Sequence, residues 1–196
     1  MRLLMWMLGS VAGMVLVVSS AAAEPPMNVV TLVADDFRWD SLGVAGNEVI
    51  QTPHLDELAA GGVRFTRACV TTSICMTSRA SILTGQYMSR HGIDRFGVAL
   101  TPEQFAETYP AQLRQAGYWV GFVGKYGVGA ARKSDFDFIR TYEGRHWIER
   151  DGESVHITEL NRRGALEFLN NRPQDKPFLL NVSFFAAHAE DSAPEQ

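Results

Sequence analysis

Three stretches of apolar, β-branched and aromatic residues constrain the fold more than anything else in this chain. They are Asn28-Val-Val-Thr-Leu-Val-Ala34, Tyr118 to Val123, and Pro177-Phe-Leu-Leu-Asn-Val-Ser-Phe-Phe185. Near-continuous apolar runs of this length predict strands covered on both faces rather than on one. Helical patterns separate them. Thr52 to Ala59 offers a cap residue followed by Pro at the first helical position, and Gly61-Gly62 stops it. Ser78 to Leu83 is closed by Gly85, and Thr108 to Gln115 is closed by Gly117, with Pro110 in a first turn that tolerates it. Ile157 to Asn171 is amphipathic, with Leu160, Ala165, Leu166 and Leu169 on one face and Arg172-Pro173 as its end. Strands alternating with helices predict an α/β layer fold whose largely parallel sheet lies between helices. Val63-Arg64-Phe65 reads as one further short strand, and Lys133 to Gly152 as irregular structure.

Composition narrows the function classes. Apolar residues make up 46% and charged residues 20% of the 196, which fits a globular domain rather than a disordered one. The net charge of −4, without a basic run, argues against a nucleic-acid partner.

The first 23 residues differ from the rest. Arg2 is followed by an almost wholly apolar stretch from Leu3 to Val18, then by small residues up to Ala23. This is the pattern of a secretory signal peptide with Ala21-x-Ala23 at the cleavage site, and the apolar stretch is short for a membrane anchor. The expectation is a secreted or periplasmic protein with no stable membrane span after cleavage. Cys69 and Cys75 are the only cysteines. Export permits a disulfide, but a spacing of six residues, with Cys75 entering a helix, favours a buried Cys69 and a separate role for Cys75.

Sheets of this kind bind ligands beyond the carboxyl ends of their strands. Asp35-Asp36, Lys125 and His188 each fall just past such an end, which predicts one shared site. Paired carboxylates suit a hard divalent cation, although such a pair alone is more often a solvated turn or a helix cap. Cys75 stands at a helix start, where free N–H groups favour negative charge. Arg79 lies one turn on and presents a planar fork suited to an oxyanion. A bare C-x-x-x-R is also what an ordinary buried cysteine beside a surface arginine looks like. Lys125, after a strand and a glycine, can reach into a cleft, and His188 gains interest only from its strand-end position. His54, His91, His146 and His156 show no zinc-ligand spacing. The sequon Asn181-Val182-Ser183 falls inside an apolar strand and is discounted.

The run Cys75-Met76-Thr77-Ser78-Arg79-Ala80-Ser81-Ile82-Leu83-Thr84-Gly85 resembles the signature C-x-P/A-S-R-x-x-x-L-T-G of the type I, formylglycine-dependent sulfatases. The resemblance extends from about Asn28 to His188. Asn28 to Asp36 looks like the family's first strand, Thr52 to Ala59 like its T-P-N-L-D-x-L-A helix, Gly117-Tyr118 through Gly124-Lys125 like its G-Y-x-T-x-x-x-G-K-W-H segment, and Phe178 to His188 like the strand before its substrate-binding histidine. It implies an alkaline-phosphatase-like sandwich, present here only in part, with residues 24–196 as the N-terminal portion of a catalytic domain.

The resemblance also implies a chemistry. Cys75 would be oxidised by a maturation enzyme to formylglycine, whose hydrate attacks the sulfur of a sulfate ester. Asp35, Asp36 and the modified Cys75 would hold calcium, with magnesium as the alternative. Arg79, Lys125 and His188 would stabilise the transferring group, with Lys125 and His188 binding the substrate, a sulfated small molecule or polysaccharide. A phosphonate or phosphate ester hydrolase of the same superfamily is the alternative, as is an inactive anion-binding fragment. The chain departs from the family at Thr77, where Pro or Ala is usual, and at Gly127, where a histidine contacts formylglycine. It has no match to the family's later Asp-Asn pair and lysine.

Overall fold

The computed structural model describes residues 25–190, so the leader expected over residues 1–23 lies outside the described residues. The elements in chain order are β1 (Val29–Ala34), α1 (Pro53–Ala60), α2 (Cys75–Thr84), α3 (Met88–His91), α4 (Pro102–Ala106), α5 (Tyr109–Gln115), β2 (Trp119–Gly124), β3 (Phe138–Thr141), β4 (Trp147–Arg150), β5 (Glu153–His156), α6 (Ile157–Asn171) and β6 (Phe178–Phe184).

Four of the strands form one sheet in the order β1-β6-β2-β3, all parallel. β4 and β5 make a separate antiparallel hairpin. The register sets Ala34 beside Phe184, Gly124 beside Ser183, and Thr141 beside Gly124, so the strands end along a common line. Residues that follow those ends are thereby gathered at one edge, as expected for a parallel sheet.

Both faces of the sheet are covered. Val120, Phe122 and Leu179 pack against Met76, Ala80 and Leu83 of α2, Phe105 of α4 and Ala111 of α5. Val123, Leu180 and Val182 face the other way, onto Phe168 of α6, whose ring stacks on Trp119 at 4.6 Å. This two-sided cover is why the strands are near-continuously apolar. Among the described residues β1 pairs only with β6, and its outward Val30 and Leu32 are 52% and 56% exposed. No described helix is long and apolar enough to cross a membrane.

Three local expectations need correction. Val63 to Phe65 is not a strand: no neighbour pairs with it, and Val63 and Phe65 are exposed. The stretch from Lys133 to Gly152 is not irregular throughout, since it supplies β3 and β4. On α6 the buried stripe is Ile157, Leu160, Asn161, Gly164 and Phe168, and Leu166 lies on the open side.

Candidate active site

Asp35 follows β1 directly and is buried, whereas Asp36 turns into the left-handed region (φ 50°) with its side chain 63% exposed. The two adjacent carboxylates therefore enter the site in different ways, one as part of its floor and one at its mouth.

Lys125 leaves the end of β2 through Gly124, whose φ is 101°. A Cβ there would lie 1.9 Å from the Ser183 carbonyl oxygen, so only glycine permits β2 to run this close to β6. The Lys125 N–H donates to that same carbonyl at 2.7 Å. The lysine side chain then turns inward. Its Nζ lies 2.6 Å from Asp35 Oδ2 and 4.9 Å above the ring of Phe185.

α2 begins at Cys75, three residues earlier than its sequence pattern indicates, after Ile74 in an extended conformation. Cys75 is a half-buried free thiol on the first turn, and Arg79 follows one turn later with 6% exposure. Nη1 of Arg79 donates to the Lys125 carbonyl at 2.8 Å and to Ser183 Oγ. Nη2 is 3.5 Å from Asp35 Oδ2, and neither Nη2 nor Nε makes a hydrogen bond. The guanidinium is thus anchored by one nitrogen, while the edge that suits a bidentate oxyanion stays unspent.

Cys75, Arg79, Asp35 and Asp36 line one open groove, with Ser78 beside them. His188 reaches it from the turn after β6. Its Nε2 is 3.8 Å from Asp36 Oδ2, its Nδ1 donates to the Ala189 carbonyl, and the Ala187 N–H donates to the Asp35 carbonyl at 3.0 Å. All six residues singled out by sequence are therefore brought together.

Ser183 was not anticipated as part of the site. Its register position beside Gly124 places it under Arg79, and only knowledge of the strand pairing could have shown this. Its sequon partner Asn181 is buried, accepting hydrogen bonds from Thr31 at 2.6 Å and from Tyr109. Burial pushes the Tyr109 phenol up, and burial followed by the nearby Asp135 carboxylate pushes Tyr126 up to about 12. Both phenols stay neutral beneath the site.

At Gly127 (φ 69°) a Cβ would lie 2.7 Å from Arg79 Cδ. The aliphatic stem of Arg79 occupies the space a side chain at 127 would need. Cys69 is exposed, contrary to the expectation of burial, and forms no disulfide with Cys75.

Of the two carboxylates at the strand end, which as oxygen donors suit a hard cation, Asp35 already faces the Lys125 ammonium at 2.6 Å and Arg79 Nη2 at 3.5 Å, and Asp36 is the more open one. The pair supplies only part of a shell, and among the described residues no three His, Cys, Asp or Glu side chains converge closely enough to hold a metal ion.

The chain is similar to known proteins over most of its length. The sulfatase family model matches residues 27–196. The chain is 34% identical over 168 residues to the human N-sulphoglucosamine sulphohydrolase, covering 83% of this chain and 32% of that protein. It is 28% identical over 175 residues to an N-acetylglucosamine-6-O-sulfatase of Bacteroides thetaiotaomicron, covering 82% and 30%. A solved structure of a protein in complex with its substrate D-glucosamine-2-N,6-O-disulfate superposes with a TM-score of 0.73 at 28% identity, covering 83% of this chain and 35% of that one. The fold is thus the α/β, alkaline-phosphatase-like architecture of these proteins. The chain spans about a third of the length of these relatives.

Proposed function

The chain belongs to the sulfatase family, and from that premise we propose that the natural polypeptide is a secreted or periplasmic sulfuric ester hydrolase, with residues 24–196 as the N-terminal part of its catalytic domain. The observation that carries this reading is the unspent edge of Arg79. A buried guanidinium whose Nε and Nη2 make no hydrogen bond, with Nη2 3.5 Å from Asp35 and Cys75 one helical turn away, supplies a fixed positive fork for a tetrahedral oxyanion at the groove.

Each residue has a part. Cys75 is the residue a maturation enzyme would oxidise to formylglycine, which as its hydrate supplies a nucleophilic hydroxyl. Asp35 and Asp36 would hold calcium or magnesium, and such an ion when bound supplies Lewis-acid polarisation. Arg79 binds two oxygens of the sulfuryl group through its free edge and excludes water by being buried. Lys125 neutralises charge from the floor, with the Phe185 ring fixing its ammonium. His188, at the mouth beside Asp36, contacts the ester from the solvent side and is placed to hand a proton to the departing alcohol.

The substrate is a sulfate ester, and the named relatives favour a sulfated sugar. The test is the mass of the peptide that contains Cys75, isolated from the exported natural polypeptide. An aldehyde in place of the thiol, trapped by a hydrazide probe, is the expected result. A cysteine recovered unmodified from protein that nonetheless hydrolyses sulfate esters would remove Cys75 from the mechanism.

A further inference from the structure

We propose that His146 is a positioning residue that sets the orientation of His188, an inference that rests on the reading of His188 as a substrate contact. His146 belongs to the loop between β3 and β4, far in sequence from the strand-end motifs. Its Nε2 lies 2.8 Å from the His188 carbonyl oxygen, so this nitrogen carries the proton and donates. Its backbone N–H donates to Glu190 Oε1 at 2.8 Å. His146 therefore holds the chain on both sides of Ala189.

The ring of His146 acts on the same turn by packing. It lies 5.3 Å from the ring of Phe185 and is stacked on His156 at 5.5 Å and 15°. Phe185, which is fully buried, carries the His188 ring at 5.0 Å and the Lys125 ammonium at 4.9 Å. One imidazole thus braces the aromatic platform on which both candidate substrate contacts rest. It is anchored in turn: the Ile157 N–H at the start of α6 donates to the His146 carbonyl at 2.6 Å. From the inner side the turn is fixed by the Ala187 N–H on the Asp35 carbonyl. Without His146 the turn keeps only its inner and local holds, the Ala187 N–H on the Asp35 carbonyl and the His188 N–H on the Phe185 carbonyl at 3.0 Å, and the His188 ring loses the outer brace that fixes its direction towards Asp36.

The test uses the natural polypeptide and three variants, His146→Leu, His146→Gln and His146→Leu combined with His188→Ala. Leucine keeps bulk and removes the donor, whereas glutamine keeps a donor. In spectra of 15N-labelled histidine rings, His146→Leu is expected to move the His188 signals and His146→Gln to restore them. His188 signals unmoved by His146→Leu would overturn the proposal. On an aryl sulfate, loss of an outer support of this kind is expected to cost about 10- to 100-fold in kcat/KM, with no further loss when His188 is already alanine. Equal losses with and without His188 would also overturn it, since they mark a general structural role. If the His188 signals move as expected but the parent protein releases no sulfate, the hydrolase reading fails and the positioning role stands.

Discussion

Lys125 Nζ lies 2.6 Å from Asp35 Oδ2, and both side chains are more than nine-tenths buried. Each charge is tolerated in the interior because the other is there. Removing one partner of a buried pair leaves the second uncompensated, which costs about 3–5 kcal/mol. Arg79 Nη2, 3.5 Å from the same carboxylate oxygen, offsets part of this. Lys125→Met is therefore expected to lower stability by about 2–3 kcal/mol, and adding Asp35→Asn to recover most of it. Urea unfolding of the four proteins of the cycle checks this, and additive losses would show that the pair is not coupled.

Gly127 is held against Arg79. An alanine there must adopt a φ of 69° and place its Cβ 2.7 Å from Arg79 Cδ. The backbone penalty alone is about 1–2 kcal/mol, and Arg79 must also shift. Gly127→Ala should reduce both stability and turnover, with the loss in turnover persisting well below the melting temperature. The same crowding explains why this chain cannot carry a histidine at 127 without moving its arginine.

Thr77 is fully buried and its hydroxyl has no hydrogen-bond partner. An unsatisfied buried hydroxyl costs about 1 kcal/mol or more. Thr77→Val keeps the shape and removes the polar atom, so it should raise the urea midpoint with an unchanged slope. A lower midpoint would mean that the hydroxyl is satisfied in solution.

His91 is buried, its Nδ1 accepting from the Ile93 N–H at 3.0 Å and its Nε2 facing Ser81 Oγ at 3.0 Å. Burial lowers its pKa below 6.5. The unfolded chain then binds a proton that the folded chain refuses, so stability falls as pH drops through 6.5 and the full loss is reached below the depressed folded value. His91→Asn should flatten the unfolding free energy between pH 8 and 5.5 relative to the parent.

The parts of the fold that could be read in advance are those where the local pattern and the tertiary environment agree. β2 and β6 are the central strands of the sheet and their sequences are apolar for that reason, while β1 is apolar although it lies at an edge among the described residues. Thr108, where the sequence pattern starts the helix, caps α5 through its own hydroxyl. β3, the other outer strand, was hidden because it is short and mixed in character. Phe138 packs inward, while Arg140 pairs with Glu167 of α6, so Phe138 to Thr141 shows no run of apolar residues. The β4–β5 hairpin did carry a signal, the Asp151-Gly152 turn with both residues at positive φ. Thr101-Pro102-Glu103-Gln104 likewise announced α4 as a capping box.

At the site, the motif residues were legible one by one, but their partners were not. That Ser183 anchors Arg79 and that His146 reaches His188 follow from strand register and from a loop crossing. Neither leaves a trace in the local sequence of the residues concerned.

The most direct measurement is the rate of sulfate release from an aryl sulfate by the natural polypeptide, run beside the phosphonate monoester of the same alcohol and repeated with Cys75→Ala. The account predicts that the sulfate reacts faster and that the reaction disappears with Cys75. A faster phosphonate reaction, or sulfate release that survives Cys75→Ala, would contradict it.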